Sequence, residues 1–82
     1  MTSLEIDSFL DSVQSELDHA RTKHPTPIRT RHEAYAVILE EVCEFWDEVK
    51  AQKPNVDAMY RELVQIAAMC ARAADDLELS RE

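Results

Sequence analysis

The sequence predicts an all-α fold of three helices, and two observations carry this prediction. Glycine is absent from all 82 residues, so tight hairpin turns and glycine-rich phosphate loops are excluded. Apolar residues recur at helical spacing in three segments, which are separated by the proline-containing stretches at 25–27 and at Pro54. The chain is therefore expected to be a single domain, residues 1–82, of three helices joined by short connections.

The first helix is predicted from about Leu4 to Thr22. Thr2 and Glu5 precede its apolar residues at the spacing of a capping box. Pro25 is expected to end the helix, because the residue before a proline disfavours the helical conformation.

The second helix is predicted from near Arg31 to about Gln52, ending before Pro54. Thr30 and Glu33 have the spacing of a second capping box.

The third helix is predicted from around Asn55, a favourable N-cap, to Leu77 or Leu79, and the residues after Leu79 are expected to fray. A short connection makes helices two and three an antiparallel hairpin, with helix one packed across it. Three helices of this length expose more apolar surface than they can cover for one another. We therefore expect the helical bundle to be completed by oligomerisation, as a homodimer or homotetramer. The sequence leaves undecided whether the chain also forms a short fourth helix.

Charge and composition exclude several function classes. The formal net charge is −8 and the isoelectric point is near 4.7, which argues against a nucleic-acid polymer or an anionic membrane surface as partner. No apolar run approaches the ~20 residues of a transmembrane helix, and no signal-peptide pattern is present. Cys43 and Cys70 are expected to be buried free thiols, which fits a reducing, cytoplasmic location.

Acidic residues form a ridge beside the apolar stripe of the second helix. Glu41, Glu44 and Glu48 fall within about 60° of one another at helical periodicity. Glu62 has a similar edge position on the third helix, and Gln65 lies one turn further along. In an antiparallel hairpin these edges can face each other, so Glu41, Glu44 and Glu62 are expected to converge. Mg²⁺ relieves repulsion between such acids by accepting hard oxygen ligands.

The alternative interpretation of this ridge is an ordinary solvated acidic face. Acids at such spacing usually pair with lysines, but only Lys50 and Lys53 are nearby bases in this part of the chain. Spacing alone leaves both interpretations open.

The order of these acids along the chain resembles that of a known enzyme family. Glu41-x-x-Glu44, within the string Leu39-Glu40-Glu41-Val42-Cys43-Glu44-Phe45-Trp46, is followed by Glu62-x-x-Gln65. This pair resembles the EExxE and ExxD motifs of the MazG-like all-α nucleoside triphosphate pyrophosphohydrolases, in a small, phage-type branch with ExxQ. The resemblance covers roughly residues 30–78.

The resemblance implies an activity and a set of roles. Members of this family use Mg²⁺ to cleave nucleoside triphosphates to the monophosphate and pyrophosphate, with water as nucleophile. For this chain we expect Mg²⁺, with Mn²⁺ as an alternative. The resemblance implies that Glu41, Glu44 and Glu62 are catalytic metal ligands. It implies that Glu40 is either an additional ligand or an acid next to the ligands that does not contact the metal. Glu48 would be a catalytic base outside the metal's ligands.

Gln65 is the departure from the family pattern, which has aspartate at this position. A neutral amide cannot act as a general base and is a weaker Mg²⁺ ligand than a carboxylate. Three functions therefore stay open: the hydrolase, a catalytically impaired nucleotide-binding or sequestering module, and a plain helical interaction protein.

Basic residues concentrate around the first connection. Lys23, Arg29 and Arg31 are predicted, with Gln65, to bind the phosphates of a nucleotide. The alternative is a surface loop that balances an acidic protein. Tyr35 and Trp46 are expected in the core or in a subunit interface.

Overall fold

The computed structural model describes residues 1–79 and confirms the all-α prediction. Its helices are α1 (Ser3–Lys23), α2 (Arg31–Val49) and α3 (Val56–Asp76). Within these described residues there is no strand, and no helix is long and apolar enough to cross a membrane. The predicted frayed end, residues 80–82, lies outside the described residues.

Side chains cap the start of each helix as the sequence indicates. Thr2 and Glu5 form the complete capping box of α1, each side chain accepting the other residue's backbone N–H at 3.2 Å. Of the second predicted box, the structure contains one half, in which the Glu33 N–H donates to the Thr30 hydroxyl at 3.0 Å. The side chain of Asn55 accepts from the backbone of α3, so all three starting points follow from local sequence.

The second helix ends at Val49, so its predicted end at about Gln52 is wrong. Lys50 is its C-cap, and the Ala51 N–H turns back to the Glu48 carbonyl at 3.4 Å. Pro54 disfavours helical conformation at the residue before it. The chain therefore leaves the helix before the proline and uses 50–55 to reverse direction.

The third helix ends with Glu78 in the left-handed conformation, at φ 56°. The Leu79 N–H donates to the Ala74 carbonyl at 2.8 Å and the Glu78 N–H to the Asp75 carbonyl at 3.1 Å. This is the hydrogen-bond pattern of a Schellman motif, whose left-handed position is usually glycine. Because the chain contains no glycine, a glutamate occupies that position.

The third helix is central and packs against both of the others. Among the described residues, no Cα atom of α1 lies within 8 Å of one in α2. The order across the molecule is therefore α1–α3–α2, with an open cleft where α1 and α2 diverge. The core consists of two small clusters along α3, one around Ala20, Ala68 and Met69, the other around Ile28, Ala34 and Ala73.

Several residues predicted to be buried are exposed in this arrangement. Cys43 and Cys70 are exposed free thiols, so their predicted burial is wrong: Cys43 lies on the outer side of α2 and Cys70 on the side of α3 away from the cleft. Tyr35 and Trp46 are also exposed. They are therefore not core residues, and their alternative position in a subunit interface stays a prediction.

Candidate functional site

The cleft between α1 and α2 has a volume of about 610 Å³, and α3 forms its floor. It is rich in carboxylates, with Lys23 and Arg72 as its only permanently charged cations among the described lining residues. The acids that line it are Glu16, Glu33, Glu40, Glu41, Glu44 and Glu62. An anionic ligand would therefore meet a repulsive field here unless a cation accompanied it.

Three of these acids lie close together at the junction of α2 and α3. Glu41, Glu44 and Glu62 each contribute one carboxylate oxygen to a group whose members all lie within 4.8 Å of one another. Glu41 and Glu44 are three positions apart on α2, so they share one face of that helix. The adjacent, packed α3 supplies Glu62, and the convergence predicted from the sequence is therefore present.

The surroundings of this cluster disfavour ionised carboxylates. Burial, followed by repulsion from Glu44, raises the pKa of Glu41 to about 7. The same two causes raise the pKa of Glu62 above its ordinary value. One oxygen of Glu62, Oε2, is buried and accepts no hydrogen bond from any described residue. The positive charge of Arg61 lowers the pKa of Glu62 but does not offset these two causes, so the partly buried cluster has little positive charge to balance it.

The remaining predicted site residues divide into two groups. Glu40, Gln65 and Lys23 line the cleft, Gln65 from the floor and Lys23 from α1. Glu48 lies outside the lining, but its charge contributes to the raised pKa of Glu62.

Arg29 and Arg31 are exposed and lie outside the cleft lining. The structure therefore does not bring these two arginines to the acids, and their role in binding phosphate stays a prediction. Lys23 is the one predicted basic residue that shares the cleft with the acid cluster.

Sequence reasoning missed Arg72, which organises the other end of the cleft. It is 5% exposed and donates to the backbone carbonyls of His24 at 2.5 Å and Thr26 at 2.8 Å. Its Nε also donates to Asp76 at 3.4 Å. A charged residue within an apolar helical face, with an acid four residues later, was the available signal.

Asp76, near the end of α3, completes this network. It accepts from the Ile28 N–H at 2.8 Å and from Arg21 at 2.9 Å. Burial alone would raise the pKa of Asp76, but these donors outweigh burial and lower it below its ordinary value. Arg72 and Asp76 thus fasten the first connection, residues 24–30, onto α3 and close one end of the cleft.

Comparisons of the chain with models of protein families, with curated proteins and with solved structures find no match. The resemblance to the MazG-like family therefore rests on the two acidic motifs and on the place where their residues meet.

Proposed function

We propose that this chain is a Mg²⁺-dependent nucleoside triphosphate pyrophosphohydrolase of the MazG-like type, which cleaves a (d)NTP to (d)NMP and pyrophosphate. The observation that supports it most is the cluster of Glu41, Glu44 and Glu62 within 4.8 Å, two of them from the first motif and one from the second. An acidic interaction surface has no need of acids gathered in a cleft where burial raises their pKa values.

The acid cluster fits a magnesium ion by two criteria. Carboxylate oxygens are the ligands that Mg²⁺ prefers, and the buried Oε2 of Glu62 has no other partner among the described residues. Glu41, Glu44 and Glu62 would hold the ion, with Glu40 at the cleft edge as an additional ligand or an acid behind the ligands. Bound there, Mg²⁺ or Mn²⁺ would neutralise charge on the phosphate oxygens.

Other residues of the chain would orient the nucleotide and move the proton. Lys23 faces the cleft from α1 and would bind a phosphate, while Gln65 on the floor can donate and accept hydrogen bonds. Glu48 is near enough for its charge to raise the pKa of Glu62, and we assign it the role of the base that takes a proton from water. Arg29 in the first connection and Arg31 at the start of α2 are exposed and would attract the phosphates.

Gln65 supports a second candidate, a binding or sequestering module that retains Mg²⁺ and nucleotide but not turnover. It lines the cleft at the position where the resemblance implies an aspartate. Loss of one carboxylate lowers the charge available for a second metal ion. In either form we propose a cytoplasmic homodimer or homotetramer that binds a free nucleotide and no nucleic-acid polymer.

The test is pyrophosphate release from a panel of (d)NTPs with Mg²⁺ or Mn²⁺, comparing the wild type with Glu41→Gln. We expect turnover in the wild type and a fall of at least ~100-fold in the variant, because a ligand to the ion is lost. Asp47→Asn is the matched control: Asp47 lies on the same helix, is exposed, and pairs only with Lys50 at 3.4 Å among the described residues. It should keep wild-type turnover.

Gln65→Asp separates the two candidates. If Gln65 is what prevents catalysis, a chain that binds Mg²⁺ and nucleotide without turnover should gain turnover on this substitution. An inactive wild type that stays inactive as Gln65→Asp, and binds no nucleotide in the presence of Mg²⁺, would leave only the helical interaction protein.

A further inference from the structure

A second groove adjoins the acidic cleft at the end away from Arg72. It lies between α1 and α3 and has a volume of about 440 Å³, and we call it the side groove. Glu16 and Gln65 line both the cleft and the side groove, so the two cavities share a boundary. The other lining residues of the side groove include Asp11, Ser12, Ser15, Tyr60, Arg61 and Val64.

The position of Lys23 gives a bound triphosphate a direction. Lys23 lies at the end of the cleft that the Arg72 network closes, because the carbonyl of the adjacent His24 accepts from Arg72. Arg72 is ten residues, or about 15 Å, from Glu62 along α3. If the phosphates extend from the acid cluster towards Lys23, the nucleoside lies at the opposite end of the triphosphate. The side groove begins on that side, since Tyr60 and Arg61 directly precede Glu62.

The α3 side of the groove offers surfaces for a planar ring. The ring of Tyr60 packs edge-on against Phe9, with 5.7 Å between ring centroids and 85° between the ring planes, and this contact holds it in place. Val64 is buried and supplies an apolar part of the lining. Nucleobases stack on aromatic rings and on planar guanidinium groups such as that of Arg61. Among the described residues that line the cleft itself, none is Phe, Tyr or Trp.

The α1 side of the groove is polar and rich in hydrogen-bond acceptors. Asp11 and Glu16 contribute carboxylates, which accept hydrogen bonds but do not donate them when ionised. The Ser12 hydroxyl donates to the Ser8 carbonyl at 3.1 Å, which leaves its oxygen free to accept. A ligand on this side must therefore supply donors. The hydroxyl groups of a sugar do so, and a carboxylate is a recurring partner of ribose hydroxyls.

We infer that the side groove binds the nucleoside of the triphosphate, with the base against Tyr60 and Arg61 and the sugar hydroxyls against α1. The inference rests on the proposed function and adds the part of the site that holds the base and the sugar. The volume lies within the roughly 300–1000 Å³ of small-molecule sites. Gln65, at the boundary with the cleft, would donate an amide N–H to the phosphate that carries the sugar, where a carboxylate would repel it.

Ser12→Leu tests the inference by filling the side groove with a larger side chain. Calorimetric titration with Mg²⁺ would use two kinds of probe. The first is the set of α,β-methylene analogues of ATP, GTP, CTP and dTTP, which cannot be cleaved between the α and β phosphates. The second is inorganic tripolyphosphate, which has no nucleoside. In Ser12→Leu, the dissociation constant of the analogue that the wild type binds most tightly should rise at least about tenfold. That of tripolyphosphate should change by less than about twofold, which also shows that the variant is folded.

Two further variants complete this titration. Ser15→Leu places the same side chain at an exposed position of the side groove and should act in the same direction. Gln14→Leu is the matched control, because Gln14 is exposed on α1 outside the lining of both cavities, and it should bind both kinds of probe like the wild type. Serine variants that bind the analogue like the wild type, or lose both kinds of probe equally, would overturn the inference.

Amide chemical shifts of the wild type locate the nucleoside directly. The difference between the spectra with the analogue and with tripolyphosphate should be concentrated in residues 8–16 and 60–65. A difference concentrated in residues 24–30 would place the nucleoside at the closed end of the cleft and overturn the inference. Glu41→Gln distinguishes failure of the proposed function: it should weaken both kinds of probe alike. Unchanged binding of both in Glu41→Gln would refute the metal site, whatever the serine variants show.

Discussion

Two carboxylates on α3, Glu62 and Asp76, lie about four turns apart and have opposite surroundings. Asp76 accepts hydrogen bonds from Arg21, from Arg72 and from the Ile28 N–H, and its pKa is lowered. Glu62 has one buried oxygen with no partner among the described residues, faces Glu44, and has a raised pKa. The chain thus supplies two arginines that donate hydrogen bonds to Asp76, whereas the positive charge of Arg61 near Glu62 does not offset the effects of burial and of Glu44.

The difference separates a structural acid from an acid available to a ligand. Around Asp76, the two arginines cancel the charge and tie the first connection to the last turns of α3, so nothing is left for a ligand to neutralise. Around Glu62, three acids share a small space with too little positive charge to keep the pKa of Glu62 from rising, an arrangement that an external cation would stabilise. The cleft therefore has two different ends. The closed end lies at Asp76, whose charge the arginines already balance, and the open end lies at Glu62, where an external cation would stabilise the acids.

The largest effect on stability is expected from Arg72→Met, which removes the hydrogen bonds of Arg72 at the closed end of the cleft. The substitution removes the donor to the His24 and Thr26 carbonyls and one cation from the buried Asp76. Removing one partner of a buried ion pair typically costs about 3–5 kcal/mol of unfolding free energy. Urea unfolding followed by circular dichroism should show this loss, which is severe for so short a chain.

Arg61→Met is the matched control for this prediction. Arg61 lies on the same helix but is exposed, so its replacement should change the unfolding free energy by no more than about 0.5 kcal/mol. Equal midpoints for the two variants would show that the Arg72 network contributes nothing to stability.

The next largest effect is expected from adding metal to the open end. Mg²⁺ at about 100 times its dissociation constant should stabilise the folded chain by roughly 2.7 kcal/mol, because it binds the folded state alone. Glu62→Gln should abolish this response, measured as the shift in thermal midpoint. Asp11→Asn, which removes an exposed acid of α1 outside the lining of the cleft, should retain it. A shift of the same size in Glu62→Gln would mean that Mg²⁺ acts elsewhere.

Much of the fold could be predicted from the sequence because its determinants are local. Thr2, Thr30 and Asn55 accept backbone N–H groups at the starts of the three helices, and such caps need only neighbouring residues. The convergence of Glu41, Glu44 and Glu62 was also predictable, because helical periodicity and one short connection determine which edges meet.

What could not be predicted depends on contacts between distant parts of the chain. The bonds of Arg72 to His24 and Thr26 require the position of the first connection against α3, which helical periodicity does not give. The exposure of Cys43 and Cys70 depends on which side of each helix the neighbouring helices cover. Apolar spacing identifies a stripe but does not say whether the same chain or another copy covers it.

The smallest effect, and the most specific to the acid cluster, is expected from Glu41→Gln. The pKa of Glu41 is about 7 in the folded chain, above its ordinary value of 4.5. Between these values the folded state binds more protons than the unfolded state, so stability falls as pH rises across this window. Replacing Glu41 with glutamine removes this fall in stability, because glutamine does not ionise. With divalent ions chelated, the variant should be more stable than the wild type by about 1 kcal/mol at about pH 8, a value reduced by solvent screening.

At about pH 4, below the ordinary pKa of a glutamate, that advantage should disappear, because Glu41 is then protonated in both the folded and the unfolded wild type. Asp11→Asn changes the net charge by the same amount at an exposed position outside the cleft lining, so it reports any general relief of the −8 charge. A stabilisation that is the same at both pH values, or is matched by Asp11→Asn, would assign the effect to net charge. A stabilisation found only at high pH and only in Glu41→Gln assigns it to the cluster, where a bound cation would relieve the same repulsion.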